Sequence, residues 1–189
     1  MGRRVFLILS VLALLSMGVV SKSGAYVTEL GAYSLAIDFR WATPRQAHVT
    51  AQMVLPVSQE RVWSVLTDYD HLDEFIPLLE RSEVSSRREG IVYLKQRGVM
   101  KFPFYKKTLR VVFRVREEPK QALSFEAVEG DFLVYNGSWR LQSCPSGTHV
   151  RYEAFVEPAV SIPQWIMTQL ERGLVKASFR AILERCQKG

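Results

Sequence analysis

Three histidines are the first residues to consider for chemistry, because imidazole binds metals and transfers protons near neutral pH. His48, His71 and His149 lie far apart in the sequence, and none belongs to a His-x-x-x-His motif with an adjacent Glu. That spacing places two imidazoles on one face of a helix, where they bind zinc. His48 and His149 fall in segments that we interpret as strands. The sequence therefore predicts no zinc site.

A second candidate is the acidic group formed by Asp68, Asp70, His71 and Asp73. Carboxylates at this density could hold a hard cation such as Ca²⁺. Aspartate is also strongly favoured at helix N-caps, where its oxygen accepts a hydrogen bond from a backbone N–H. We prefer an interpretation in which Asp68 or Asp70 caps a helix and the other side chains are solvated, so that no metal is predicted.

Other catalytic patterns are missing from the sequence. It contains no Gly-x-Ser-x-Gly nucleophile elbow and no glycine-rich phosphate loop. The two thiols, Cys144 and Cys186, have no base near them in the sequence that could activate them. We therefore predict no catalytic residue and no cofactor.

Length and charge limit the classes of function. The chain has 189 residues, of which 48% are hydrophobic and 23% charged, which is typical of one globular domain. The net charge is +6, but the first 25 residues carry three basic residues and no acid. The rest holds 22 basic and 19 acidic residues, a net charge of +3. A nucleic-acid partner is not predicted, because binding to phosphates requires a dense basic surface.

The first 25 residues are typical of an export signal. Two arginines precede an uncharged, mostly apolar run over residues 5–20, and Ser23 and Ala25 follow at the spacing of a signal-peptidase site. A spanning helix needs about 20 apolar residues, so this run is short for a permanent anchor. We predict a signal peptide over residues 1–25 and a periplasmic or secreted product that begins at Tyr26. A membrane anchor over the apolar run is the alternative.

Hydrophobic periodicity predicts the elements of the exported part. Residues 26–46 show no clean period and are interpreted as an extended lead-in to a domain over 47–189. A strand over 48–55 is followed by two short helices, the first capped by Ser58 and the second over 68–79. Apolar and polar residues then alternate from Glu83 to Glu157, in six segments divided by turn residues, so seven antiparallel strands are predicted in all. The predicted buried faces comprise Leu109, Val111, Phe113 and Val115; Leu133, Tyr135, Gly137, Trp139 and Leu141; and Val150, Tyr152, Ala154 and Val156.

A long helix over about residues 162–188 is predicted at the end of the sequence, with Ser161 and Gln164 as a capping box. Its apolar residues form two stripes on different sides, so we expect contacts on both. One contact would be the sheet, and the other the first helices, a ligand or a membrane. The first stripe comprises Ile162, Ile166, Leu170, Leu174, Ala177 and Ala181, and the second Val175, Phe179, Ile182 and Cys186.

Several short motifs follow this order of elements. They are Leu55-Pro56-Val57-Ser58, Val62-Trp63, Leu66-Thr67-Asp68-Tyr69, Phe75-Ile76-Pro77, Gly137-Ser138-Trp139 and Ile162-Pro163. With the order of elements they resemble the START-like, or helix-grip, superfamily, in particular its coenzyme Q-binding and polyketide cyclase/dehydrase branch. The resemblance implies an α+β fold in which a seven-stranded, curved antiparallel sheet wraps around the long C-terminal helix. It also implies an apolar ligand between sheet and helix.

Large aromatic side chains on the predicted buried faces indicate where that ligand would bind. Gly173, Ala177 and Ala181 on the last helix are small, so an unfilled apolar volume is expected between helix and sheet. The hydroxyls of Tyr135 and Tyr152 need partners when buried, which a quinone or carboxyl oxygen would supply. The predicted ligand-binding residues are Phe75, Ile76, Leu94, Val111, Phe113, Phe125, Tyr135, Trp139, Tyr152, Trp165, Ile166, Leu170 and Leu174.

The function predicted from these features is binding, by an exported protein, of a hydrophobic small molecule such as a quinone, a polyprenyl or another lipid. Phe75, Ile76 and Leu78, beside Pro77, would form a gate to the cavity. One alternative is a cyclase or dehydratase that uses a Tyr as acid on a polyketide-like substrate. A protein-interaction module is another, since some members of the superfamily resemble ribosome-association toxins, although export argues against a ribosomal partner.

Basic residues crowd one predicted strand. They could attract anionic lipid headgroups in a peripheral membrane contact, at about 1 kcal/mol per basic residue. We favour a solvated outer sheet face, in which Arg114 or Arg116 pairs across to Glu126 or Glu129. The basic residues in question are Lys106, Lys107, Arg110, Arg114 and Arg116.

The two cysteines allow one intramolecular disulfide. Export would place Cys144 and Cys186 in an oxidising compartment, where such bridges persist. A strand of about ten residues and the returning helix have similar lengths, so the turn that holds Cys144 and the end of the last helix could meet. Two free thiols are the alternative, with Cys186 buried beside Phe179 and Ile182.

Overall fold

The computed structural model describes residues 24–43, 45–102, 104–160, 162 and 164–188, and for 102 and 164–172 it describes the backbone alone. All but the last two residues of the predicted signal peptide lie outside this part. Within the described residues, no helix combines the length and the apolar character needed to cross a membrane.

A single antiparallel sheet forms most of the molecule. Its strands follow the order β1-β2-β3-β9-β8-β7-β6-β5-β4, so that the sequence neighbours β3 and β4 lie far apart and β3 pairs with β9. The strands are β1 (Gly24–Leu30), β2 (Tyr33–Trp41), β3 (Ala47–Leu55), β4 (Leu79–Arg88), β5 (Ile91–Phe102), β6 (Tyr105–Glu118), β7 (Ala122–Gly130), β8 (Phe132–Cys144) and β9 (Gly147–Pro158).

The number of strands corrects the sequence prediction. Seven were expected, and the sheet has nine, because the lead-in forms the β1–β2 hairpin and pairs with β3. Leu35, Ile37 and Phe39 are buried and alternate with more exposed residues, so the period of two is present in β2. The lead-in is therefore part of the sheet.

The predicted buried faces of the later strands are confirmed except at one position. Val111, Phe113 and Val115 are buried in β6, and Val150 and Ala154 in β9. Leu133 is 62% exposed. A register irregularity between Phe132 and Val134 shifts the start of β8, so Phe132 faces inward in place of its neighbour.

The first helices follow β3 where they were predicted. Helix α1 (Gln59–Leu66) begins at Ser58, whose side chain accepts a hydrogen bond from the backbone N–H of Arg61 at 3.2 Å. The second helix is shorter than expected, a 3-10 helix over Tyr69–Glu74. Asp68 occupies its N-cap position, but its carboxylate makes no capping hydrogen bond.

The aspartates at the 3-10 helix bind other partners. The Asp68 carboxylate lies 2.6 Å from Nδ1 of His71, and that hydrogen bond raises the pKa of the imidazole. Asp70 accepts a hydrogen bond from the backbone N–H of Val84 at 2.7 Å and so ties the helix to β4. The prediction that one of these aspartates caps the helix through its side chain is therefore wrong.

Helix α2 (Gln164–Gln187) packs its second apolar stripe inward, where Phe179, Ile182 and Cys186 are buried. Gly173 is exposed, with nothing within 4 Å of the place where a Cβ would stand. The expectation that Gly173 lies beside the unfilled volume between helix and sheet is therefore wrong. The guanidinium of Arg61 donates to the carbonyl oxygens of Arg185 and Cys186, at 2.7 and 3.1 Å. These bonds satisfy two backbone carbonyls at the C-terminal end of α2.

Cys144 and Cys186 are both free thiols in the structure. Helix α1 contacts both α2 and the β8–β9 hairpin. The side chain of Gln59 accepts from Ser143 Oγ at 2.6 Å, beside Cys144, while Arg61 holds the other end at Cys186. The surroundings of both thiols are thus hydrogen-bonded to side chains of α1.

The two thiols are expected to differ in reactivity. Burial raises the pKa of Cys186 to about 11, whereas Cys144 is half-buried in the hairpin turn. In the native, unreduced protein, one thiol per chain should react quickly with Ellman's reagent, and the second only after denaturation. The fast thiol should disappear in a Cys144→Ser variant. An unreduced, denatured protein without reactive thiols would mean that a bridge forms after all.

Candidate ligand-binding cavity

A cavity of about 410 Å³ lies between the inner face of the sheet, α2 and the segment around the 3-10 helix. Strands β5, β6, β8 and β9 supply most of the sheet wall, and β2 and β3 close one side. Helix α2 contributes Leu174, Val175, Ser178, Phe179 and Ile182. Apolar side chains dominate the wall, because each strand turns its buried face toward this space.

Aromatic rings form the central part of the wall. The Phe113 ring lies edge-to-face with the rings of Phe125 and Tyr135, at centroid distances of 5.4 and 5.0 Å. The ring centroid of Trp139 lies 4.6 Å from that of Tyr152 and 5.5 Å from that of Phe179, so Trp139 connects the sheet to α2. These contacts position the rings while leaving the space beside them open.

A tyrosine pair provides polar groups in this apolar wall. Tyr135 and Tyr152 are hydrogen-bonded to each other through their hydroxyls, and both rings line the cavity. Burial raises the pKa of both hydroxyls, so they stay protonated at neutral pH. Two hydroxyls carry two protons, and their mutual bond uses one. The pair thus retains one proton that can be donated to a ligand oxygen.

A second polar position involves Tyr69. Its hydroxyl donates to Glu117 at 2.9 Å, and the guanidinium of Arg87 lies 5.6 Å from its ring centroid. Burial, followed by the bond to Glu117, raises the pKa of Tyr69 well above its usual range. Because Tyr69 lines the cavity and its hydroxyl is already engaged, it presents mainly its ring to a ligand.

The candidate gate residues lie at the edge of the cavity. Phe75, Ile76 and Leu78 all line it, and Leu78 is 39% exposed. The carbonyl of Leu78 accepts from the N–H of Val99 at 2.8 Å, which fixes the segment to β5. The guanidinium of Arg185 lies 5.4 Å from the Phe75 ring centroid, so the gate segment also contacts α2.

Ten of the thirteen predicted ligand-binding residues line the cavity. They are Phe75, Ile76, Leu94, Val111, Phe113, Phe125, Tyr135, Trp139, Tyr152 and Leu174. The side chains of Trp165, Ile166 and Leu170 lie outside the described part of the structure. The lining residues that the sequence reasoning missed include Phe39, Val49, Leu66, Leu72, Met100 and Phe132. The period of two in β2 and β3 was a usable signal for Phe39 and Val49.

The arginines of the basic strand face solvent, as favoured from the sequence. Arg110, Arg114 and Arg116 are exposed on β6. Arg114 forms an ion pair with Glu126 on the neighbouring strand, as expected. Among the described residues, no group of three or more His, Cys, Asp or Glu side chains is arranged to hold a metal ion.

The sequence of residues 55–182 matches the family model described as polyketide cyclase / dehydrase and lipid transport. The chain belongs to this family. The match begins at the end of β3 and extends into α2, so it contains most of the cavity wall. No curated protein matches the sequence significantly.

Solved structures share the START-like fold of this family member. A STAR-related lipid transfer protein from Xanthomonas axonopodis superimposes with a TM-score of 0.69 at 17% identity, covering 87% of this chain and 99% of that one. Human STARD10 gives a TM-score of 0.67 at 14% identity, covering 87% and 74%. The Zhui aromatase/cyclase from Streptomyces sp. R1128 gives 0.63 at 14% identity, covering 76% and 94%. At these identities the likeness shows the fold alone, and the helix-grip arrangement is confirmed.

Proposed function

We propose that this protein is exported and binds a hydrophobic small molecule in the cavity between the sheet and α2, which it sequesters or carries. The observation that supports this proposal is the open apolar cavity of about 410 Å³ in a folded chain. Ligand sites occupy about 300–1,000 Å³ and are lined mainly by apolar side chains. An empty apolar volume of this size is costly to maintain, whereas a bound ligand gains about 25 cal/mol per Å² of apolar surface removed from water.

The ligand we propose is a quinone, a polyprenyl or another lipid with one oxygen-bearing end. The Tyr135–Tyr152 pair would donate its remaining proton to that oxygen, and the aromatic wall would contact the apolar remainder. A quinone suits this arrangement best, since its carbonyl accepts a hydrogen bond and its ring can stack on Trp139. This assignment agrees with the resemblance to the coenzyme Q-binding branch.

Native mass spectrometry tests the proposal. The protein, purified after mild extraction from the cells that produce it, should carry an added mass that is lost on denaturation. Decylubiquinone, a soluble quinone, should restore the added mass to stripped protein, and binding should weaken about fivefold or more in a Tyr135→Phe variant, which lacks one buried hydroxyl. Glu126→Gln, on the outer face, is the matched control. Protein that binds neither a co-purifying molecule nor the added quinone would contradict the proposal.

A cyclase or dehydratase is the second candidate, and the observation that favours it is the same tyrosine pair. Two protonated hydroxyls in an apolar site could act as a general acid on a polyketide-like substrate. General acid–base chemistry also requires a base, and the polar side chains on the described wall are Tyr69, Gln96, Tyr135, Tyr152 and Ser178. Turnover of a linear polyketide mimic that is lost in Tyr152→Phe would favour the enzyme over the carrier.

Export is the remaining part of the proposal. Residues 5–20 and the small residues at 23 and 25 support a cleaved signal and a periplasmic or secreted product. Cleavage after Ala25 would remove two residues of β1, and Tyr26, paired with Ile37, would begin the strand. The intact mass of the exported protein decides this point. A full-length species embedded in the membrane would instead favour an anchor over residues 5–20.

A further inference from the structure

Strand β9 carries one aromatic side chain on the outer face of the sheet, the face turned away from α2. In β9 the residues that alternate with the buried Val150 and Ala154 point to this outer face. Phe155 is one of them and is 36% exposed. Core packing therefore does not account for a phenylalanine at this position. The other outward residues of β9 are polar: His149, Arg151, Glu153 and Glu157.

The Phe155 ring has one covered face and one free face. Phe155 pairs with His48 of β3, and the two rings are stacked, with centroids 4.2 Å apart and planes inclined by 7°. That separation is close to the spacing of neighbouring strands, about 4.8 Å, so the rings stack along the direction from strand to strand. On its other side Phe155 pairs with Asn136 of β8. The second face of the ring is therefore turned toward β8.

A groove of about 340 Å³ lies beside this free face, on the outer side of β6, β7, β8 and β9. Its central strands, β7 and β8, carry short polar side chains, whereas β6 and β9 carry longer side chains that rise at the two sides. The groove forms because short residues lie between long ones. The lining residues include Ser124, Asn136 and Ser138 on the floor and Arg116, Glu153 and Phe155 at the sides.

The charged side chains of the groove balance one another. Two arginines and two glutamates line it, so these four side chains have no net charge. Arg114 and Glu126, directly opposite each other on β6 and β7, form an ion pair. Arg116 and Glu153 lie at opposite sides of the groove, on β6 and β9. A neutral ligand therefore suits the groove better than an anion or a cation does.

Polar groups of the groove retain capacity for hydrogen bonds to a ligand. The side chains of Ser124, Asn136 and Ser138 form no hydrogen bond with another described residue. Oε1 of Glu153 lies 2.9 Å from Nε2 of His48, which leaves Oε2 to accept another bond. Hydroxyl and amide groups both donate and accept, and the carboxylate accepts only. A ligand that carries several hydroxyls would satisfy all of these groups.

We propose that this groove binds a pyranose ring of a neutral glycan, stacked on the free face of Phe155. A pyranose presents C–H groups on its face and hydroxyls around its rim, so it is complementary to an aromatic ring bordered by polar side chains. Stacked at roughly 5 Å from Phe155, the sugar would lie over β8, which is one strand away. Asn136 and Ser138 would there bind its hydroxyls, with Glu153 and Arg116 at the rim. This site lies on the opposite face of the sheet from the cavity and goes beyond the function proposed above.

An array of neutral oligosaccharides built from glucose, galactose, mannose and N-acetylglucosamine tests the proposal. The exported protein should bind at least one of them. Titration with that sugar, followed by NMR, should shift the backbone amides of residues 114–116, 136–138 and 153–155 and the side-chain amide of Asn136. Those of the β8–β9 turn should not shift, because the turn lies outside the groove.

Matched substitutions separate sugar binding from folding. Phe155→Ala should bind the sugar about tenfold more weakly, whereas Phe155→Tyr, which keeps the ring, should bind as the wild type does. Because Phe155→Ala also loses the stack on His48, Asn136→Ala is the cleaner variant. It removes an exposed amide, so it should keep its melting temperature and bind about fivefold more weakly. Gln142→Ala, on the same face of β8 but outside the groove, is the control and should bind normally.

Three results would overturn the proposal. They are an array without binding to any neutral oligosaccharide, binding restricted to sulfated or sialylated glycans, and equal sugar affinity in the wild type, Phe155→Ala and Asn136→Ala. Asn136 does not line the cavity, so Asn136→Ala should bind decylubiquinone with unchanged affinity. The glycan site and the quinone site can therefore fail independently of each other.

Discussion

Replacement of Trp139 by alanine is expected to abolish binding of hydrophobic ligands and to cost about 3 kcal/mol of folding stability. The Trp139 ring contacts Tyr152 in the sheet and Phe179 in α2, at 4.6 and 5.5 Å, and forms part of the cavity wall. Removing it deprives the ligand of a stacking surface and removes a contact between sheet and helix. Binding of decylubiquinone and thermal unfolding, measured on the same sample, check both effects.

Two further variants separate loss of binding from loss of folding. Trp139→Phe retains a ring between Tyr152 and Phe179, so it should remain folded. Its affinity for the quinone should fall by no more than about tenfold. Val111→Phe adds volume at a wall position that faces the open cavity, so it should fold and exclude the ligand. Unchanged quinone affinity in both folded proteins would place the binding site outside this cavity.

The sequence could predict the later strands because their period of two is a direct consequence of one buried face. In β6, the residues between the buried Val111, Phe113 and Val115 are more exposed, and little else can produce that alternation over so many residues. The β1–β2 hairpin shows the limit of this reasoning. Leu35, Ile37 and Phe39 alternate equally well with more exposed residues. The alternation within one short segment does not determine which strand that segment pairs with, and the position of β2 in the sheet depends on its pairing with β3.

The cavity was predicted from residue types, but its shape depends on long-range geometry. The sequence identified the rings of Phe113, Tyr135 and Trp139, which strand alternation puts on the inner face. It misplaced Gly173, because a shift of one residue around a helix changes which stripe faces the sheet. It also left the cysteine pairing open, since the distance between two cysteines far apart in the sequence depends on tertiary packing.

Gly137 carries the second large expected effect, and a matched pair of identical substitutions tests it. A Cβ at Gly137 would stand 2.2 Å from the backbone oxygen of Glu153 and 2.8 Å from a ring carbon of Phe125. The first of these atoms belongs to the paired strand β9 and cannot move without breaking the ladder. Gly137→Ala is therefore expected to cost about 3 kcal/mol or to prevent folding.

Replacement of Gly173 by alanine should instead raise the stability of the protein. No atom lies within 4 Å of the place for its Cβ, and the residue is exposed on α2. Alanine is preferred over glycine within a helix, so Gly173→Ala should stabilise the protein by about 0.5–1 kcal/mol. Urea denaturation of both variants measures the difference, and equal effects would contradict the packing described at Phe125. If Gly137→Ala destabilises the protein and Gly173→Ala stabilises it, glycine is required at 137 because no room exists for a Cβ atom. The Phe125 ring lies against Gly137 and, from that position, forms part of the cavity wall.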